Sequence, residues 1–311
     1  MRSVFGRVAL LLGAFALAAS AIAFVWGHDA AHRIPLDVDS VTQLTGTASG
    51  ALAKSDTPVP VVYTNHTLAD SHASTGDVFA AQQVSCMATS AEPCIDDNGD
   101  FVLDASDPSI VTIGTNKFAL DRRTSMPVED QAKYVKDSAE VAPYDGVVIK
   151  FPFDTEKKDY PYWDGTLGKA VTATYEGTKK IDGLETYEFH VVVPKTDAEI
   201  AEGTQGTYQA EQTIWVDPTT GSFIDQTGSQ TVALPDGTLL LDADVRYTAE
   251  TVKKNVDTAK SNTSSLRLVD VVARFGGLVL GVILIALGVF LLRRRATPEP
   301  APKPAARMSK V

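Results

Sequence analysis

The residues best suited to chemistry lie in a few short stretches. FPFDTEKKDYPYWD, residues 151–164, packs five aromatics, two prolines and six charged side chains into fourteen positions. Rings set among Asp and Lys can stack a sugar or line an acyl groove, because a wide apolar face gains from burial while charges orient a head group. Phe151, Phe153, Tyr160, Tyr162 and Trp163 are therefore the candidate binding residues. The same composition also suits a structural corner, with Phe151 and Phe153 turned to the core and the prolines fixing a turn.

Cys86 and Cys94 are the two cysteines. With no histidine close by and no CxxC spacing, they read as a disulfide stapling a short loop, worth about 2–3 kcal/mol by loop-closure entropy. DDNGDFVLD, residues 96–104, sets Asp96, Asn98 and Asp100 two apart, as in a calcium loop. Gly99 comes one residue early and Asp107 stands where such a loop needs Glu, so a tight Asn98-Gly99 turn explains the stretch and no metal is expected. His28, His32, His66, His72 and His190 show no metal spacing, and no GxSxG, P-loop or GxGxxG joins a strand to a helix. These patterns imply no cofactor, no catalytic residue and a protein that is not an enzyme.

Two charge-free stretches bracket these candidates, residues 8–27 and 275–292. As helices they reach about 27–30 Å, the thickness of a bilayer's hydrocarbon layer. Residues 28–270 hold 38 Asp/Glu against 19 Lys/Arg, residues 271–311 hold one Glu against seven Lys/Arg, and Arg2 and Arg7 precede the first stretch. These balances, −19, +6 and +2, sum to the net charge of −11. Lys and Arg gather on the cytoplasmic flank of a span. Arg2, Arg7 and Arg293-Arg294-Arg295 thus place both termini inside and the acidic middle outside. An acidic exterior also excludes nucleic acid as a partner, since it has no basic stripe to release counterions.

The expected organisation is a cytoplasmic tail (1–7), a transmembrane helix or uncleaved signal anchor (8–27), an exported β-rich domain (28–265), a second transmembrane helix with its outer extension (266–292), and a basic, Pro-rich disordered tail (293–311). Residues 1–23 also fit a cleavable signal peptide, with small residues around Ala19-Ser20-Ala21 and Ala21-Ile22-Ala23. Gly277 and Gly281 form GxxxG in the second span, and Ala14 and Ala18 form a small-xxx-small pair in the first, so close helix contact is expected.

Between the spans, short apolar runs alternate with turn residues. VVYT (61–64), FVLD (101–104), IVTI (110–113), KFALD (117–121) and VVIKF (147–151) read as strands. Hairpins are expected from VTATY (171–175) to LETYEFHVVV (184–193), across Pro218–Gly221, and across Pro235-Asp236-Gly237. Tyr187, Phe189, Val191 and Val193 share one face, with Thr186, Glu188 and His190 on the other, the period of a half-buried strand. Helices are predicted over 127–140, over 249–260 (with Val252, Val256 and Ala259 on one face), and from Leu266 through the second span, with Asp270 and Arg274 at the interface. The fold class is mainly β (α+β): an antiparallel domain flanked by two transmembrane helices.

FPFDTEKKDYPYWD, FALDRRTS (118–125), TYEGTKKIDGLETYEF and IWVDPTTGSFID together resemble the actinobacterial PorA-like family. The resemblance spans nearly the whole chain, and its FPF…YPYWD and WVDPTTG pieces are the most distinctive. It implies a membrane protein of the actinobacterial cell envelope and carries over no catalytic residues. Outer-membrane barrels cross the bilayer with strands whose lipid face is free of charge and have no spanning helices, unlike this chain. The expected function is to bind or hand over an apolar envelope component, with the bilayer and an envelope lipid as partners. The alternatives are a scaffold that meets another envelope protein, and a porin-like channel subunit built from helices of several copies.

Overall fold

A computed structural model describes residues 2–91, 93–96, 98, 100–135, 143–268, 271 and 275–293. Gly99, Asp270, Arg274, Arg294, Arg295, the later half of the 127–140 helix and the C-terminal tail lie outside them. The chain divides into two compact units: His32–Ser264, and Met1–Ala31 with Ser265–Val311.

The larger unit is one ten-stranded antiparallel sheet curled into a half-barrel, with an N-terminal and a C-terminal helix elsewhere in the chain. Its strands are β1 (Asp39–Gly50), β2 (Ser55–Ala69), β3 (Val78–Ala88), β4 (Ile110–Asp121), β5 (Tyr160–Asp164), β6 (Lys169–Ile181), β7 (Leu184–Ala201), β8 (Thr204–Val216), β9 (Phe223–Ala233) and β10 (Leu239–Tyr247). The spatial order is β4-β3-β2-β1-β10-β9-β8-β7-β6-β5. Two meanders therefore meet at β1 and β10, where Leu44 faces Tyr247 and Ala48 faces Ala243.

The connection from β4 to β5 joins the two edges of the sheet. Val147 bridges Tyr162 in parallel, and Pro127 bridges Leu120. From this connection, Val147 and Phe151 pack with Phe189, Val191, Ile214 and Val216, while Tyr144 joins Phe79, Phe118, Leu120 and Trp163. VVIKF is thus a buried crossing segment rather than the strand expected, since its side chains are needed in two clusters at once. FVLD also forms no strand, and only Phe101 makes a bridge, to Ile95.

The β6–β7 hairpin is tighter than expected. EGTKKIDG is mostly strand, and the turn is Asp182-Gly183, both at positive φ (47° and 81°), as a two-residue type I′ turn requires. IVTI and KFALD are one strand, as are SFIDQ and TVAL. The helix expected from 127 is a single 3-10 turn at Gln131–Lys133 among the described residues.

After β10, helix α3 (Ala249–Arg267) follows α1 (Arg2–Ile22) and the short α2 (His28–Ala31) in chain order. Thr248 caps α3 by accepting the Thr251 amide at 3.1 Å. Its Val252, Val256 and Ala259 pack on Ile224, Ile181 and Leu184. The predicted helical face is therefore the one buried, although α3 runs on to Arg267.

The smaller unit pairs α1 with α4 (Gly277–Arg293) in antiparallel fashion. Gly6 meets Leu292 and Gly288, Gly13 meets Ile285 and Gly281, and Gly277 meets Ser20 and Ala16. A β-carbon at Gly281 would come within 2.9 Å of the Gly13 carbonyl oxygen, so the backbones touch. Gly277 and Gly281 are both in this seam. On α1 the contact runs along Gly6, Gly13 and Ser20, seven apart, which is the spacing that keeps one helix face toward its partner. Away from the seam, Phe5, Leu11, Leu12, Phe15, Leu280, Ile283 and other large apolar side chains are exposed.

Candidate functional site

Three sequence stretches converge at one end of the half-barrel. Phe151 donates its amide to the Gly221 carbonyl at 2.8 Å, and Asp154 and Thr155 donate theirs to Thr219 and Pro218. The aromatic stretch is thereby laid along the turn between β8 and β9. That turn is built by Asp217, which is buried and accepts the Thr220 amide and hydroxyl at 3.0 and 2.6 Å. From the third stretch, the Ser125 hydroxyl accepts a bond from the Lys150 ammonium at 2.9 Å. The same ammonium lies 3.8 Å from the Phe153 ring centre. Lys150 is half-buried as a residue, yet desolvation pushes its ammonium down to about 7, with the Asp217 charge pulling the other way.

The five candidate rings are divided between two clusters. Phe151 is fully buried and stacks on Phe189 at 4.4 Å, with Tyr160 edge-on at 5.3 Å. Tyr162 shares that cluster, whereas Trp163 and the half-buried Phe153 pack with Phe79 and Phe118. His32 is buried edge-on against Phe153 at 5.7 Å. Cys86 and Cys94 form a disulfide with Cα atoms 5.9 Å apart, packed under Phe101 and Ile110. Asp96 Oδ1 accepts the amides of Asn98 and Asp100, so this carboxylate is engaged by its own backbone neighbours.

A second constellation is spread across the inner face of the sheet. Tyr63 on β2, Leu44 on β1 and Tyr247 on β10 stand in one row. Tyr162 comes from β5, the far edge of the sheet, yet Tyr247 and Tyr63 lie near enough to bias its ionisation. The curl of the sheet is what brings them together. Tyr162 donates to Gln212 Oε1 at 3.3 Å, and Gln226 Nε2 donates to the same oxygen at 3.1 Å. Tyr63 bonds Ser85, and Tyr247 bonds Thr42. Burial raises the pKa of Tyr63, Tyr162 and Tyr247, so all three phenols stay neutral.

This polar belt is bounded by apolar clusters on both sides. Phe151, Phe189 and Ile214 flank it on one side, and Ala48, Val61, Met87 and Leu241 on the other. Within it Tyr63, Gln212, Gln226, Gly228 and Gln230 keep partial exposure, whereas the flanking clusters are buried. Phenols and carboxamides held in this way can donate and accept hydrogen bonds but offer no nucleophile. Apart from Tyr162 the belt is invisible to local sequence patterns, because its members lie on strands far apart in the chain.

The outer face is different in kind. His190 meets Glu211 at 2.9 Å, the Trp215 indole donates to Glu188 at 3.0 Å, and Asp242, Asp244 and Arg246 are exposed.

A family model described as Porin PorA matches residues 5–290. The chain belongs to the Porin PorA family. Among curated relatives, a Porin PorA of Corynebacterium resistens is 29% identical over 105 residues, covering 30% of this chain and 25% of the relative. A Porin PorA of Corynebacterium amycolatum is 27% identical over 88 residues, covering 25% of this chain and 23% of the relative. The matched part thus spans about a quarter of the length of these relatives. Together with one N-terminal helix long and apolar enough to cross a membrane (Ser3–Ala31), membership of the PorA family points to association with a membrane.

Proposed function

We propose that this chain is a membrane-tethered binding protein of the cell envelope. In this reading α1 and α4 cross the bilayer as a pair, with both termini on the cytoplasmic side. The half-barrel stands outside and receives an amphiphilic lipid component on its inner face. The supporting observation is the contrast between surfaces: the helix pair exposes mostly large apolar side chains between Val8 and Leu292, while the outer face of the sheet carries charged ones. Hydrocarbon is the natural surrounding of the first and water that of the second. A spanning barrel needs an apolar outer band, which the outer face of β7 and β8, bearing Glu188, His190 and Glu211, does not provide.

Two measurements test the reading. Protease added to whole cells should degrade the half-barrel and spare the arginine-rich C-terminus; the opposite pattern overturns the topology. Native mass spectrometry of the full chain should find co-purified lipid. A ligand-free protein that takes up none of the envelope lipids overturns the binding role.

The family's name favours a second reading, a channel formed by helices of several copies. Single-channel recordings of the purified chain decide it, and stepwise conductance would displace the binding role.

A further inference from the structure

We infer that the inner belt of Tyr63, Tyr162, Tyr247, Gln212 and Gln226 recognises an uncharged, hydroxyl-bearing head group, such as the sugar of a glycolipid, and discriminates against anionic ones. The inference rests on the binding role proposed above and names the chemistry of its site.

Charge is the first argument. None of the five belt side chains is ionisable to a cation, and burial keeps its phenols protonated. The carboxylates beside the belt are already engaged. Asp164 accepts the Tyr208 hydroxyl at 2.9 Å and the Thr166 and Leu167 amides at 3.0 and 2.8 Å. Asp225, whose charge reaches Tyr247, is flanked by Lys179 and Arg246. The half-buried Lys150 is held by Ser125 and Phe153 at the junction of the three stretches. An anionic head group would thus lose its hydration with no cation among the belt side chains to replace it.

Hydrogen-bonding capacity is the second argument. A phenol and a carboxamide each donate and accept, as does a sugar hydroxyl, so the two sets match without proton transfer. Gln212 Oε1 already collects two donors, which fixes the Gln212 and Gln226 carboxamides and turns them as a unit. The apolar clusters on both sides offer continuity for an acyl chain. Along β9 the inner residues Gln226, Gly228, Gln230 and Val232 are all half-buried, so this stretch of the face remains reachable.

The test uses the full chain in nanodiscs of phosphatidylcholine. Two probes of equal chain length are compared, dioctanoylglycerol bearing a glucosyl head and dioctanoyl phosphatidylglycerol, with binding read by native mass spectrometry. The glucosyl probe is expected to bind at least about tenfold more tightly. Tyr63→Phe with Gln226→Leu should weaken it by about two- to tenfold for each bond lost, with far-UV circular dichroism and the unfolding midpoint unchanged. Tyr247→Phe, which removes one oxygen, repeats the test should the double variant misfold. Equal or tighter binding of the anionic probe, or an unchanged preference in the variants, overturns the head-group inference and leaves the binding role standing. Failure of both probes to bind overturns both.

Discussion

Phe151 and Gly221 are in backbone contact: a β-carbon at Gly221 would lie 2.1 Å from the Phe151 carbonyl oxygen. Gly221 also sits at φ +74°, where a side chain is strained. Two of the most distinctive stretches of the chain, FPFD and WVDPTTG, are therefore one structural joint, and the glycine is what lets them close.

Gly221→Ala should destabilise the half-barrel by about 3 kcal/mol or more, since both backbone strain and a clash with main-chain atoms apply. Gly237→Ala is the control. Gly237 has a similar φ of +87° but nothing within 4 Å of the added carbon, so its cost should be about 1 kcal/mol. Denaturant unfolding followed by near-UV circular dichroism compares the two. Equal losses would mean that the contact with Phe151 does not matter.

The helix seam can be probed by cross-linking. A β-carbon at Gly277 would lie 3.1 Å from that of Ser20, close enough for a disulfide. Ser20→Cys with Gly277→Cys should therefore form a bond on oxidation, visible as a mobility shift under non-reducing conditions. Adding Gly281→Leu should abolish it, because the new side chain meets Leu17 and the Gly13 carbonyl.

Lys150 predicts a dependence on pH. Its ammonium is pushed from 10.5 to about 7 in the folded protein. Between these values the unfolded chain binds more protons at this site, so stability should rise with pH across the window, with a slope of up to one proton. Lys150→Met should flatten that rise when unfolding is measured from pH 7 to pH 10. A slope unchanged by the substitution would show that the ammonium titrates normally.

Reduction of the Cys86–Cys94 bond should cost about 2–3 kcal/mol and loosen the loop it holds. Hydrogen exchange should then accelerate in residues 89–109, around the contact of Phe101 with His66, whose rings stack at 4.9 Å. β7 and β8, in another part of the sheet, should keep their protection.

What the sequence made legible followed from local chemistry. Val252, Val256 and Ala259 announced the buried face of α3, and the Pro218–Gly221 and Pro235–Gly237 turns announced their hairpins, because each signal lies within one element. β1 and β3 left no such trace. In β3, Phe79 and Ala80 are both buried although they point to opposite faces, so period-2 alternation disappears. β1 is mostly Thr, Ser, Gly and Ala, which carry little hydrophobic signal, with Val41 and Leu44 as its large apolar residues. Asp182-Gly183 was a readable type I′ pair, hidden because the polar Glu176–Lys180 run looked like loop rather than exposed strand. Of the candidate site, Tyr162 was visible as one ring among five. Its partners Tyr63, Gln212 and Tyr247 depend on the curl of the sheet, which no local pattern encodes.

The seating of β1 beside β10 has a consequence for biogenesis. Each meander can zip up from local turns, but the rung linking Leu44 to Tyr247 must wait for the final strand to emerge. During synthesis the early strands therefore spend that interval with an unclaimed edge at β1. Until β10 arrives, that edge is a template on which another chain can pair.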